Sequence, residues 1–203
     1  MPAAVPRRAA RGSLESRRTE ELIAGLASAT ARVKYGSAKA LRLLSEQAPD
    51  LLYPRFDFFV HLLHGDNTIL RWNSTHILAN LAAADREDKL EKVLDQYFAP
   101  ISGRELIGAA NAIGGASKIA LAKPRLADRI AEEILKVRRA TYATRECRNV
   151  AIGHAIQALD RFFSHVVNQR PAIAFVRKQM ANPRQATRRK AEKFLKRWAG
   201  AKR

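Results

Sequence analysis

The residues best able to do chemistry sit at the end of the chain. Arg184, Arg188, Arg189, Lys193, Lys196 and Arg197 crowd one short segment. At 100° per residue, Arg189, Lys193, Lys196 and Arg197 form a row on one side of a helix, while Arg184 and Arg188 lie closer to its apolar stripe. Cations spaced this way contact phosphates without reading a sequence, so they form a candidate polyanion-binding surface. The bland reading of the same row is a solvated helix that closes the end of a stack. A membrane surface is a further option for a basic amphipathic helix, but packing is expected to occupy its apolar stripe.

A second cluster, Arg71, Trp72, Asn73 and His76, falls early in one helix. An arginine, an indole and an amide close together could stack on and hydrogen-bond a base or a peptide, which makes them a candidate groove contact. Packing between helices is the competing role for Trp72. Of the aromatic group Tyr53, Phe56, Phe58 and Phe59, the second and fourth read as core, and Tyr53 or Phe58 as partly exposed.

Other pairs fall short of a reaction. His61 and His64 share a helix face, but no cysteine pair or further ligand accompanies them, so no metal site is read. Cys147 and His154 are seven residues apart on one helix, roughly 10 Å by the helical rise, too far for a nucleophile and its base. Cys147 reads as core. Gly115-Ala116-Ser117-Lys118 lacks the order of a phosphate-binding loop, and no strand precedes its glycines. No catalytic set, metal or cofactor is therefore expected, and the chain reads as non-enzymatic.

Charge placement supports the emphasis on the C-terminus. The net charge is +18 over 203 residues. Residues 170–203 hold twelve Lys and Arg against one acid, Glu192, and residues 1–18 hold five Arg against Glu15, which leaves +3 for the middle. Such a field attracts phosphates or acidic proteins. The single cysteine cannot form an internal disulfide, so nothing requires an oxidising compartment and a cytoplasmic location is expected. No apolar run is long enough to span a membrane.

The elements that must hold these residues are helices. Apolar residues recur at helical spacing, breaks are short, and no strand or hairpin signal occurs. Residues 1–18 read as a disordered basic tail, with Thr19 as the cap of the first helix. Helices are expected at about 34–47, 51–64 (Pro54 in its first turn, Gly65 as a left-handed stop), and from a cap at Asp66 or Asn67 through Leu81. Others are expected up to Phe98, then 103–122 after a cap at Ser102, 125–139, 145–167, up to Met180 from Pro171, and 183–199. The seven small residues from Gly108 to Ala116 point to close helix packing in the helix of 103–122. Residues 19–199 read as one domain and 200–203 as a tail.

A loose internal period decides the expected architecture. Val33-Lys34 with Ala38 and Leu41 aligns with Leu70-Arg71 with Thr75 and Leu78. Cys147-Arg148 with Ile152 and Ala155 follows more loosely. Ala186 with Ala191 and Phe194 keeps the apolar positions but places Thr187 at the basic one, and Leu106 with Asn111 is the poorest match. This pattern resembles the HEAT repeat family over about residues 33–198; armadillo-type repeats read almost alike. The resemblance implies an all-α, right-handed α-solenoid of about four to five antiparallel helix pairs, in which stacking supplies the core that one pair lacks. It also implies that Asp66 and Arg71 stack between neighbouring repeats. By the same resemblance the function is a non-enzymatic scaffold for protein or other macromolecular partners. The alternative is a nucleic-acid-binding protein using the basic C-terminal surface. Some HEAT-like proteins are alkylated-base DNA glycosylases, to which Asp66, Arg71 and Trp72 are the only loose match.

Overall fold

The computed structural model describes residues 5–200. It is helical, and no strand occurs among the described residues. No helix there is long and apolar enough to cross a membrane. Contacts divide the chain into two compact units, residues 1–87 and 88–203.

The first unit contains α1 (Val5–Gly25), α2 (Ala31–Gln47), α3 (Pro49–Leu52), α4 (Phe56–Leu62) and α5 (Thr68–Leu81). α2 packs against both α1 and α5, and α4 packs against α5. Leu41, Leu52, Phe56, Phe59, Ile77, Leu78 and Leu81 are its buried apolar centre. α1 extends well before Thr19, into the segment expected to be a tail. Thr19 is a buried mid-helix residue whose hydroxyl donates to the Glu15 carbonyl. Residues 1–4 of that expected tail and 201–203 of the other lie outside the described residues. The helix expected at 51–64 is interrupted by a 3-10 turn at Tyr53–Arg55. Pro54 lies inside that turn, where its missing N–H breaks the α-helical ladder. Gly65 is not left-handed, since no described glycine has a positive φ. Asn67 does cap α5, its side chain accepting from the Leu70 N–H at 3.1 Å.

The second unit contains α6 (Lys89–Lys92), α7 (Leu94–Phe98), α8 (Leu106–Ala122), α9 (Ala127–Leu135), α10 (Arg145–Phe162), α11 (Arg170–Lys178) and α12 (Gln185–Trp198). α10 packs between α8 and α12. Glu105, not Ser102, stands at the N-cap of α8. Thr144 caps α10 through its hydroxyl, which accepts from Cys147 N–H. Cys147 is half-buried rather than core. Its first residue, Asp88, is the only described non-glycine with a left-handed backbone, φ 52°. Lys123 and Arg125, at 2.5 and 2.8 Å, hold its carboxyl below the usual range.

Within each unit the long-range side-chain bonds recur at a narrow range of separations. In the first, Asn67 donates to Tyr35, Asn80 to Ser45 and Tyr53 to Asp85. In the second, Arg129 meets Asp95, Tyr142 donates to the Ile101 carbonyl, and Trp198 to Asp160. Partners are between 32 and 41 residues apart; the bond from Ser74 to the Phe59 carbonyl is shorter-range. The N-cap residues of α2, α5, α8, α10 and α12 are Thr30, Asn67, Glu105, Thr144 and Arg184, successively 37, 38, 39 and 40 residues apart. Seven residues beyond each comes a small residue: Ser37, Ser74, Ala112, Ala151 and Ala191, all buried. A small side chain there lets the next helix approach closely.

This register corrects two of the five expected alignments. Gly108 and Thr187, not Leu106 and Ala186, correspond to Val33, Leu70 and Cys147. Arg188, not Thr187, therefore occupies the basic position. α8 hid its phase because apolar or small residues surround it on most sides, which leaves little periodic contrast.

Candidate polyanion interface

α12 is built to present charge outward. Thr187, Ala191 and Phe194 are buried on its inner side. The ring of Phe163 packs edge-on against Phe194 and Trp198, with centroids 4.7 and 5.2 Å apart. Trp198 is half-buried, and its indole N–H donates to Asp160 at 2.7 Å. These contacts fix the helix rotation, so Arg189, Lys193 and Lys196 project from the opposite side, all exposed.

The six expected cations are not equivalent. Arg184 is ion-paired with Glu146. Arg188 turns back and donates to the carbonyls of Asn182 and Pro183 at 2.7 and 3.0 Å. Arg197 lies over the Trp198 ring, 4.7 Å from its centroid, and 3.6 Å from Asp160. Arg189, Lys193 and Lys196 have no ion-pair or hydrogen-bond partner among the described residues. An exposed, unpaired cation keeps its full charge available to a partner.

Lys190, outside the expected set, faces inward toward α10. Its ammonium donates to Gln157 at 2.9 Å. Burial, then Arg184, push its pKa below the ordinary value. His154 is likewise held below its ordinary value by burial, then by Lys190 and Arg184. The signal for Lys190 lay in helical phase, but reading it required knowing that α10 packs there.

The second expected cluster is not assembled for a ligand. Arg71 donates to the carbonyls of Gly65 and Asp66 at 2.8 and 3.3 Å and to the Thr68 hydroxyl at 3.0 Å. Its bonds are therefore to its own loop, not across repeats with Asp66 as the resemblance implied. Asn73 donates to the Ile69 carbonyl at 2.8 Å. Trp72 and His76 are half-buried, and the Trp72 indole N–H is buried without a partner. Tyr53 and Phe58 are both half-buried, as expected.

Cys147 and His154 occupy separate turns of α10 and are not brought together. No group of three or more His, Cys, Asp or Glu among the described residues is arranged to hold a metal. No family profile, curated protein or solved structure matches this chain.

Proposed function

We propose that this chain is a non-enzymatic, HEAT-like repeat scaffold, a right-handed α-solenoid whose macromolecular partner presents an anionic surface to α12. The observation that carries this reading is the outward row Arg189, Lys193 and Lys196, unpaired on a helix whose other cations are engaged within the protein. The stepwise bonds at 32 to 41 residues support the repeat architecture. Helix pairs that bury one another in sequence leave extended outer surfaces free for binding. The cytoplasm suits a chain with one thiol and no disulfide.

A second reading makes the partner a nucleic acid. Arg189, Lys193 and Lys196 stand at i, i+4 and i+7, so a series of point charges runs along one helix side. That arrangement follows a phosphate backbone without base contacts. Nothing favours the alkylated-base glycosylase reading, since Arg71 is bound to its own loop.

Fluorescence anisotropy with labelled duplex DNA, single-stranded DNA and RNA tests both. Binding near physiological salt with a steep log–log salt slope supports the nucleic-acid reading. Binding lost at that salt, with an acidic protein recovered by affinity capture only when α12 is intact, supports the protein partner. Neither result would overturn the interface.

A further inference from the structure

We propose that the cleft between α10 and α12 seats one phosphate of a nucleic-acid strand, with Lys190 as its binding cation and Lys193 at its edge. This rests on the reading of α12 as a polyanion surface. The cleft is an open groove of about 210 Å³ lined by Ile156, Gln157, Asp160, Lys190 and Lys193.

Lys190 has the features of a cation awaiting an anion. An ammonium carries three donors, and among the described residues only the bond to Gln157 is made. No carboxylate is within ion-pair distance of it among the described residues. Partial burial removes water without supplying a counter-charge, which is costly for the charged form. Asp160 also lines the groove, but it accepts from Trp198 and lies 3.6 Å from Arg197. The other nearby acid, Glu146, is held by Arg184. The cleft therefore retains a positive balance. His154 adds a ring with no hydrogen-bond partner among the described residues, close enough to Lys190 and Arg184 to feel their charge.

Packing holds the lysine in place. A β-carbon on Gly153 of α10 would lie 3.8 Å from both Cδ and Nζ of Lys190 and 2.9 Å from the Thr187 hydroxyl. The bare backbone of Gly153 lets the Lys190 stem lie close against α10, so its head is positioned before a ligand arrives. Preorganisation of this kind lowers the entropic cost of binding.

A strand is favoured over an acidic protein because Lys193, at the edge of the cleft, is also a member of the outer row with Arg189 and Lys196. One recessed seat beside evenly spread cations suits a chain with an anion at every step. A membrane surface is disfavoured because no large apolar side chain is exposed on α12.

The test is anisotropy of a labelled single-stranded 20-mer, as DNA and as RNA, across a salt series. Wild type is compared with Lys190→Met, Lys190→Arg and the triple variant Arg189→Ala/Lys193→Ala/Lys196→Ala, each confirmed folded by thermal melting. The proposal expects Lys190→Met to weaken binding about tenfold and to reduce the salt slope by about 0.7. Lys190→Arg should stay close to wild type, and polyglutamate at equal charge should not displace the strand. Wild-type affinity and slope in Lys190→Met, with the triple variant impaired, would overturn the cleft while leaving the outer row standing. Absence of strand binding by wild type would overturn the cleft proposal together with the nucleic-acid reading, and would leave the outer row to the acidic-protein reading. Displacement by polyglutamate would make the seat one for an acidic protein.

Discussion

Arg188 repeats the geometry of Arg71. Each guanidinium donates through Nη1 to the carbonyls six and five residues before it: Gly65 and Asp66 for Arg71, Asn182 and Pro183 for Arg188. Each thereby closes the loop that leads into its own helix. Arg148 holds the same position in α10, close enough to Tyr142, six residues earlier, to affect its hydroxyl. In α5 and α12 this basic residue thus satisfies carbonyls before a helix start, a structural duty that sequence cannot distinguish from ligand binding.

Removing that duty should cost stability rather than affinity. Arg188→Ala and Arg71→Ala should each lower unfolding free energy by about 1–3 kcal/mol, the range for losing charge-assisted bonds to part-buried carbonyls. Chemical denaturation measures this. The salt slope of polyanion binding should be unchanged in Arg188→Ala, in contrast to Arg189→Ala.

Two glycines, Gly114 in α8 and Gly153 in α10, should respond oppositely to alanine. At Gly114 an added β-carbon meets nothing within 4 Å, so Gly114→Ala should stabilise by up to about 1 kcal/mol through helix propensity. At Gly153 it would lie 2.9 Å from the buried Thr187 hydroxyl, which donates to the Asn149 carbonyl at 2.8 Å. That β-branched side chain cannot swing away without breaking its bond, so Gly153→Ala should destabilise by about 1–3 kcal/mol. Thermal melts of the two variants make the comparison. Close packing, expected for the glycines of α8, is therefore not the reason for Gly114.

The buried polar link between α2 and α5 should be costly to cut. Asn80 donates to the Ser45 hydroxyl at 2.8 Å, and that hydroxyl donates to the Arg42 carbonyl at 2.7 Å. Asn80→Ala should destabilise by about 1–3 kcal/mol. A double-mutant cycle with Ser45→Ala should reveal coupling, because the two side chains share one network.

His154 gives a pH dependence with a definite sign. Its folded pKa lies below the ordinary 6.5, through burial and then Lys190 and Arg184. The unfolded chain therefore takes up this proton first as pH falls. Stability should drop as pH passes below about 6.5 and continue to drop until the folded ring also titrates. His154→Gln should flatten that part of the stability profile between pH 7 and 5, measured by melting temperature.

The helical class was legible from periodicity, and side-chain chemistry narrowed the α5 cap to Asp66 or Asn67, of which Asn67 makes the bond. The unpaired cations Arg189 and Lys193 could be placed on the outer side of α12 by helical phase alone. Three features were not legible. The start of α1 before Thr19 leaves no apolar period in an arginine-rich segment. The 3-10 turn at Tyr53–Arg55 depends on where Pro54 falls relative to the helix start, and pattern places such starts only to within a few residues. The inward direction of Lys190 depends on α10, far away in sequence, lying against that side of α12.

The most direct test of the account is the salt dependence of nucleic-acid or polyanion binding by wild type and by Arg189→Ala/Lys193→Ala/Lys196→Ala. Wild type should bind tightly, and in the triple variant the log–log slope on duplex DNA should be shallower by up to about 2.7 with an unchanged melting temperature. An identical slope and affinity in the two proteins would contradict it, because the exposed row of α12 would then carry none of the binding.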